Sequence, residues 1–186
     1  ARTEPDPEIQ HLIRASAGLN LALDYLPGSV AFDPVVEKPD ADLASAIVWF
    51  DAFVSNVDRT ARNTNMLIWH RKLWLIDHGA ALYFHHDWDG YLERATDRFA
   101  RIRDHVLLPF ASALREADTR LSVLVTRDMI ERIVALIPDA WLVGDASGTS
   151  AHADAAAHRD AYAQYLCRRI ESPHAFVEEA IRARGL

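Results

Sequence analysis

The stretch "NVDRTARNTNMLIWHRKLWLIDHG", residues 56–79, decides how the rest of the chain is read. Two short apolar segments, Met66 to Trp69 and Leu73 to Ile76, flank the polar tripeptide His70-Arg71-Lys72. Apolar runs of this length around a polar break predict a β-hairpin, with the tripeptide at its turn. Trp69 and Trp74 then fall where cross-strand packing brings aromatic rings together. Ahead of the first strand stand Asp58, Asn63 and Asn65, and directly after the second stands Asp77, followed by His78 and Gly79. A hairpin with acids and amides at its open end has a chemical use. Magnesium takes oxygen ligands and usually only one or two protein carboxylates, the rest coming from water and phosphate. A second carboxylate kept off the ion can accept the proton of an incoming hydroxyl, and phosphoryl transfer asks mainly for such positioning. Asp58 and its asparagines also admit a plainer reading as turn and capping residues. Asp77 resists it better, because a carboxylate after four apolar strand residues needs a partner or a solvent-facing cleft.

Outward from the hairpin, the signals are mostly helical. Pro5 and Pro7 precede a short helix expected to end at Gly18. Residues 19–28, "LNLALDYLPG", alternate leucine with smaller or polar residues and break at Pro27-Gly28, which predicts a strand entering a turn. From Asp40 or Asp42 as N-cap, Leu43, Ile47, Phe50 and Val54 follow at helical spacing. Beyond residue 95, Met129, Ile130, Ile133, Val134 and Ile137 form one apolar stripe, and Tyr162, Tyr165, Leu166 and Ile170 another. Residues 144–158 are weak in pattern and read as a loop, and a last helix is expected from Ser172-Pro173 to the arginines at 182 and 184. The fold class is α+β, mostly α-helical, with a small β-portion near the front.

Composition bounds the partners. With 186 residues, half of them hydrophobic, the chain fits one domain with a sizeable core. Its 27 acidic and 20 basic residues give a net charge of −7, and the bases are scattered, which argues against nucleic acid or a membrane surface as the partner. The single cysteine, Cys167, lies in an apolar helical stripe and reads as a buried small hydrophobe; one cysteine also fits a reducing compartment, so a cytoplasmic protein is the expectation. In "FHHDWDG", residues 84–90, two adjacent histidines on a strand would face opposite ways, so a transition-metal site is not expected there and a solvated loop is.

The order Asp58, Asn63 or Asn65, hairpin, then "DHG" at residues 77–79 resembles the catalytic and metal-binding loops of the protein-kinase-like fold. Without a His-Arg-Asp triplet, the wording is closer to the HipA-like kinases, and more distantly to the phosphoinositide kinases, than to ordinary protein kinases. That resemblance implies an ATP- and Mg²⁺-dependent phosphotransferase, its acceptor the Ser or Thr hydroxyl of a protein. Asp58 would be the catalytic base, with Arg59 beside it as a phosphate contact. Asp77 would be the principal metal ligand, and Asn65, or alternatively Asn63, the second. "LALDYLPG", residues 21–28, is similar to the hinge where such kinases meet adenine, which assigns cofactor binding to the backbone of Asp24, Tyr25 and Leu26. The expected organisation is the end of an N-lobe and hinge over residues 1–28, then a helical C-lobe over 29–186.

No glycine-rich run precedes Leu19, and the first lysine is Lys38. The chain is therefore expected to be a C-lobe carrying the end of an N-lobe, with the missing lobe or a partner subunit completing it. A pseudokinase acting as an interaction module, or a small-molecule phosphotransferase on the same fold, are the alternatives.

Overall fold

The computed structural model describes residues 5–142, 154–171 and 174–186. At its centre lies helix α2 (Ala41–Phe53), whose N-cap Asp40 accepts a hydrogen bond from the backbone N–H of Leu43 at 2.8 Å. The cap satisfies one of the orphan donors of the first turn. Ala44, Ser45, Ile47, Val48, Trp49, Asp51, Ala52 and Phe53 are all buried, so the helix is enclosed on most sides. The expected face is only half right: Ile47 is inside, but Leu43 and Phe50 look outward, because a nearly enclosed helix has no single apolar stripe for periodicity to find.

Helices α4 (Leu114–Leu124) and α8 (Ala175–Arg184) pack on α2. The indole of Trp49 stacks on Phe53 at 5.4 Å, meets Phe176 of α8 edge-on at 5.6 Å, and donates to Asp118 of α4 at 2.8 Å. A second pair, α5 (Arg127–Val134) and α7 (Ala155–Glu171), closes the other side through Ile130, Val134, Ala163 and Cys167, and the one-turn helices α3 (Tyr91–Arg94) and α6 (Asp139–Leu142) pack on α7. Cys167 is buried, as expected of a small hydrophobe, whereas Ile133 of the anticipated stripe is exposed.

The sheet is small and antiparallel. The hairpin strands β2 (Met66–Trp69) and β3 (Lys72–Leu75) pair Met66 with Leu75 and Trp69 with Lys72, and the two-residue β1 (Val30–Ala31) adds to the outer edge of β2. His70 and Arg71 make the turn, both at positive φ (50° and 61°), the geometry whose twist suits a two-residue hairpin. Trp69 and Trp74, diagonal neighbours across the pair, touch edge to face at 5.5 Å.

The front of the chain departs from expectation. Helix α1 (Pro7–Ala15) stops at a Ser16 cap rather than at Gly18. Residues 19–26 form no strand: Leu19, Leu21, Leu23 and Tyr25 are all exposed, and no neighbouring strand lies beside them among the described residues. Alternation alone cannot make a strand without a partner for its backbone groups. The segment is tied down at two points, where Trp141 donates to the carbonyl of Leu19 at 2.8 Å and Trp69 to that of Pro27 at 3.0 Å. Two other boundaries move. Residues 155–158, expected as loop, are the first turn of α7, and the stretch expected as a solvated loop at residues 84–90 begins within a 3₁₀ turn, Tyr83–His86, whose Phe84 is buried. The predicted cap Ser172-Pro173 lies outside the described residues, and the helix beyond it begins at Ala175. Among the described residues, no helix is long and apolar enough to cross a membrane.

Candidate active site

The carboxylate of Asp58 is the meeting point of the residues singled out from the sequence. Asn63 donates its side-chain amide to Asp58 Oδ2 at 2.8 Å, and Asn65 donates to the same oxygen at 3.2 Å. Both asparagines that competed for one role are therefore held by one acid. With each nitrogen so engaged, the amide oxygens accept no hydrogen bond among the described residues and remain as neutral oxygen donors. Asp58 Oδ1 likewise accepts none.

The hairpin brings Asp77 to the same end. The N–H of Ile76 bonds the carbonyl of Asn65 at 3.0 Å, one step past the Met66–Leu75 pair, so Asn65 and Asp77 leave the hairpin side by side. Both adopt left-handed backbone, at φ 47° and 48°, a conformation that Asn and Asp tolerate better than other side chains. Strain of this kind gathers at functional sites. The loop after Asp77 then runs beside the loop before Asp58, because Val57 N–H bonds the carbonyl of Ala80 at 3.3 Å. Asp77 is exposed and Asp58 half-buried, so neither acid is sealed off. Gly79 leaves room for Asp77: a Cβ there would lie 3.3 Å from Asp77 Oδ1, inside ordinary contact distance.

Arg59 does not join this group, and its expected role as a phosphate contact is corrected. It is 1 % exposed and points into the core, where Nε meets Asp51 Oδ2 at 2.5 Å. Its Nη1 also bonds the carbonyl of Asn65. Asp51 is the hub of a buried network. Asn56 donates to it at 2.9 Å and accepts the N–H of Asp58 at 3.2 Å, while His105 Nε2 reaches Asp51 Oδ2 at 2.9 Å. Because His105 Nδ1 accepts from the N–H of Leu107 at 3.0 Å, Nε2 must carry the proton that goes to Asp51. Burial pushes the Asp51 carboxyl up, yet the hydrogen bonds from His105 and Arg59 and the charge of Arg59 outweigh it and hold the group below its ordinary range. Thus the residue after Asp58 anchors the loop, and the acid itself is left facing the open end of the hairpin.

Asp51, Asn56 and His105 were not anticipated. Asp51 had one local signal, an acid in the last turn of an apolar helix; His105, 54 residues away, had none. Arg169 of α7 was also missed. It is 1 % exposed and gives its N–H groups to the carbonyls of Ala52, Phe53, Ala95 and Asp97 at 2.7–3.0 Å, capping the C-terminus of α2. The expected adenine contacts, Asp24, Tyr25 and Leu26, lie in the irregular front segment; the N–H of Tyr25 is turned onto the carboxylate of Asp24 at 2.9 Å.

Among the described residues no three His, Cys, Asp or Glu side chains converge on a common metal position, His85 and His86 included. Two carboxylates flanked by amide oxygens are a different donor set, hard and oxygen-only, which suits magnesium rather than a transition ion. The hairpin end thus presents side-chain oxygens only, of the chemical class that enzymes handling phosphate groups use.

The family comparison fits that class. The description of HipA-like kinases matches residues 19–173, and the chain belongs to the HipA-like kinase family. No curated protein and no solved structure matches the chain. Membership carries the coarse function of a kinase-type phosphotransferase.

Proposed function

We propose that this chain carries the catalytic lobe of an ATP- and Mg²⁺-dependent phosphotransferase whose acceptor is a Ser or Thr hydroxyl of a protein. The observation that carries the reading is the convergence of Asn63 and Asn65 on one oxygen of Asp58, with Asp77 leaving the same hairpin end. Asp58 presents Oδ1 to the acceptor hydroxyl and takes its proton as the oxygen attacks the γ-phosphorus. The bond from that phosphorus to the bridging oxygen breaks, and ADP leaves. Asn63 and Asn65 fix the carboxylate in one orientation, so that its acceptor oxygen is aimed before substrate arrives. Asp77, with the amide oxygen of Asn65 or Asn63, would hold magnesium, which when bound neutralises phosphate charge. Adenine would meet the backbone of Asp24, Tyr25 and Leu26, once the exposed front segment is covered by an N-lobe or partner subunit.

The test is phosphate transfer to protein substrate by the complete protein. Asp58→Asn keeps the amide bonds but cannot take the proton, and is expected to lower transfer by about 10²–10⁴-fold. Mg-ATP thermal shift should persist in that variant. Transfer by Asp58→Asn at the parent rate would remove the assigned role.

A further inference from the structure

A cleft of about 900 Å³ opens beside the loop that leads into Asp58. Ser55 and Val57 line it from that loop, and Arg94, Arg98, Arg101 and Arg169 line it from the helical body. Its apolar surface is aromatic, contributed by Tyr83, Phe84, Phe99 and Tyr165. Two acids, Asp87 and Asp97, also border it. In a chain of net charge −7, four arginines around one opening are a local reversal of sign.

The cations differ in how far they are neutralised. Arg94 is tied to Asp87 at 3.2 Å and Arg101 to Asp104 at 3.6 Å. Arg98 is exposed and makes no salt bridge within 4 Å among the described residues, although its charge is felt by Glu179 of α8. Arg169 is buried, and every hydrogen bond it makes is to a carbonyl; no carboxylate lies within 4 Å of it among the described residues. A guanidinium cannot shed its proton in a protein, so Arg169 is a fixed positive charge in a low-dielectric wall, offset in part by the nearby Asp97 carboxylate. Such a wall focuses potential into the cleft it borders.

We infer that this cleft binds the acceptor polypeptide through an aspartate or glutamate close to its hydroxyl-bearing residue, with Arg98 and Arg169 as the selecting charges. The inference rests on the phosphotransfer reading for the identity of the occupant. Size supports a peptide over a lone anion, since 900 Å³ lies at the upper end of small-ligand sites. Mixed aromatic and guanidinium lining matches an extended segment with apolar and acidic side chains. Position supports it too: Ser55 and Val57 of the loop that carries Asp58 line the cleft, so it opens on the same loop as the proton acceptor, although Asp58 itself is not in its wall.

The experiment compares two fluorescein-labelled peptides of equal length, one with a serine flanked by glutamates and one with glutamines in their place. Anisotropy with the chain at low salt should show the glutamate peptide bound about fivefold more tightly, a preference that shrinks as salt rises. Arg98→Glu, a change at an exposed position, should abolish it. Equal affinities for the two peptides, or an unchanged preference in the variant, would overturn the assignment. Phosphate incorporation by the complete protein separates the two readings. Preference without incorporation into either peptide leaves the cleft standing and removes the phosphotransfer function. Incorporation that is equal in the two peptides does the reverse.

Discussion

Arg59→Met tests the buried network that holds the Asp58 loop. Arg59 and Asp51 both have side chains with no solvent exposure, at 2.5 Å. Methionine keeps much of the volume and removes the charge, leaving Asp51 with His105 and Asn56 alone. Stranding one member of a buried pair costs about 3–5 kcal/mol. For a domain of this size each kcal/mol moves the midpoint by about 2–4 °C, so the melting temperature should fall by roughly 6–20 °C. The pH dependence gives a sharper reading. Asp51 is held below its ordinary value, so its stabilisation is complete above the unfolded value of about 3.9 and is lost as pH falls through the folded one. The deficit of Arg59→Met against the parent should therefore be largest at neutral pH and narrow below pH of about 4. Urea titrations at several pH values, followed by circular dichroism, measure both. A deficit under about 1 kcal/mol at pH 7, or one that stays constant into acid, would refute the argument.

Other outcomes follow from particular contacts. Arg169→Met strips four carbonyls of a buried donor and should destabilise by at least about 3 kcal/mol in the same titration; a smaller loss would mean that α2 ends equally well without its cap. Gly79→Ala should leave the melting temperature within a few degrees, because only the Asp77 carboxylate must yield. It should nevertheless weaken the magnesium dependence of the ATP thermal shift in the complete protein, and an unchanged magnesium titration would show that Asp77 is not the ligand.

The hairpin and its flanking acids were legible in the sequence because strands of four residues, a two-residue turn and Asx side chains at fixed offsets are local matters. Asn65 and Asp77 could be placed at one end of the hairpin from register alone. What holds Asp58 in place was not legible. Asp51 meets His105 across 54 residues, and Arg169 reaches Ala52 across 117, through packing that no window contains. Arg59 was misread for a related reason: beside an acid in a polar loop, nothing local tells whether a guanidinium turns to solvent or to a buried carboxylate. The supposed strand at residues 19–26 failed on the opposite account. Its alternation is real, but a strand is a property of two segments, and no described segment lies alongside it.

The hairpin end makes Asn65 and Asp77 mechanical companions. The Ile76–Asn65 bond ties the residue before Asp77 to Asn65, and Asn65 in turn bonds the Asp58 carboxylate at 3.2 Å, so a tilt of the ribbon would be passed through Asn65 to the proton acceptor. Ion affinity and chemical rate would then move together, coupled at the base of the ribbon, where Arg59 grips the carbonyl of Asn65.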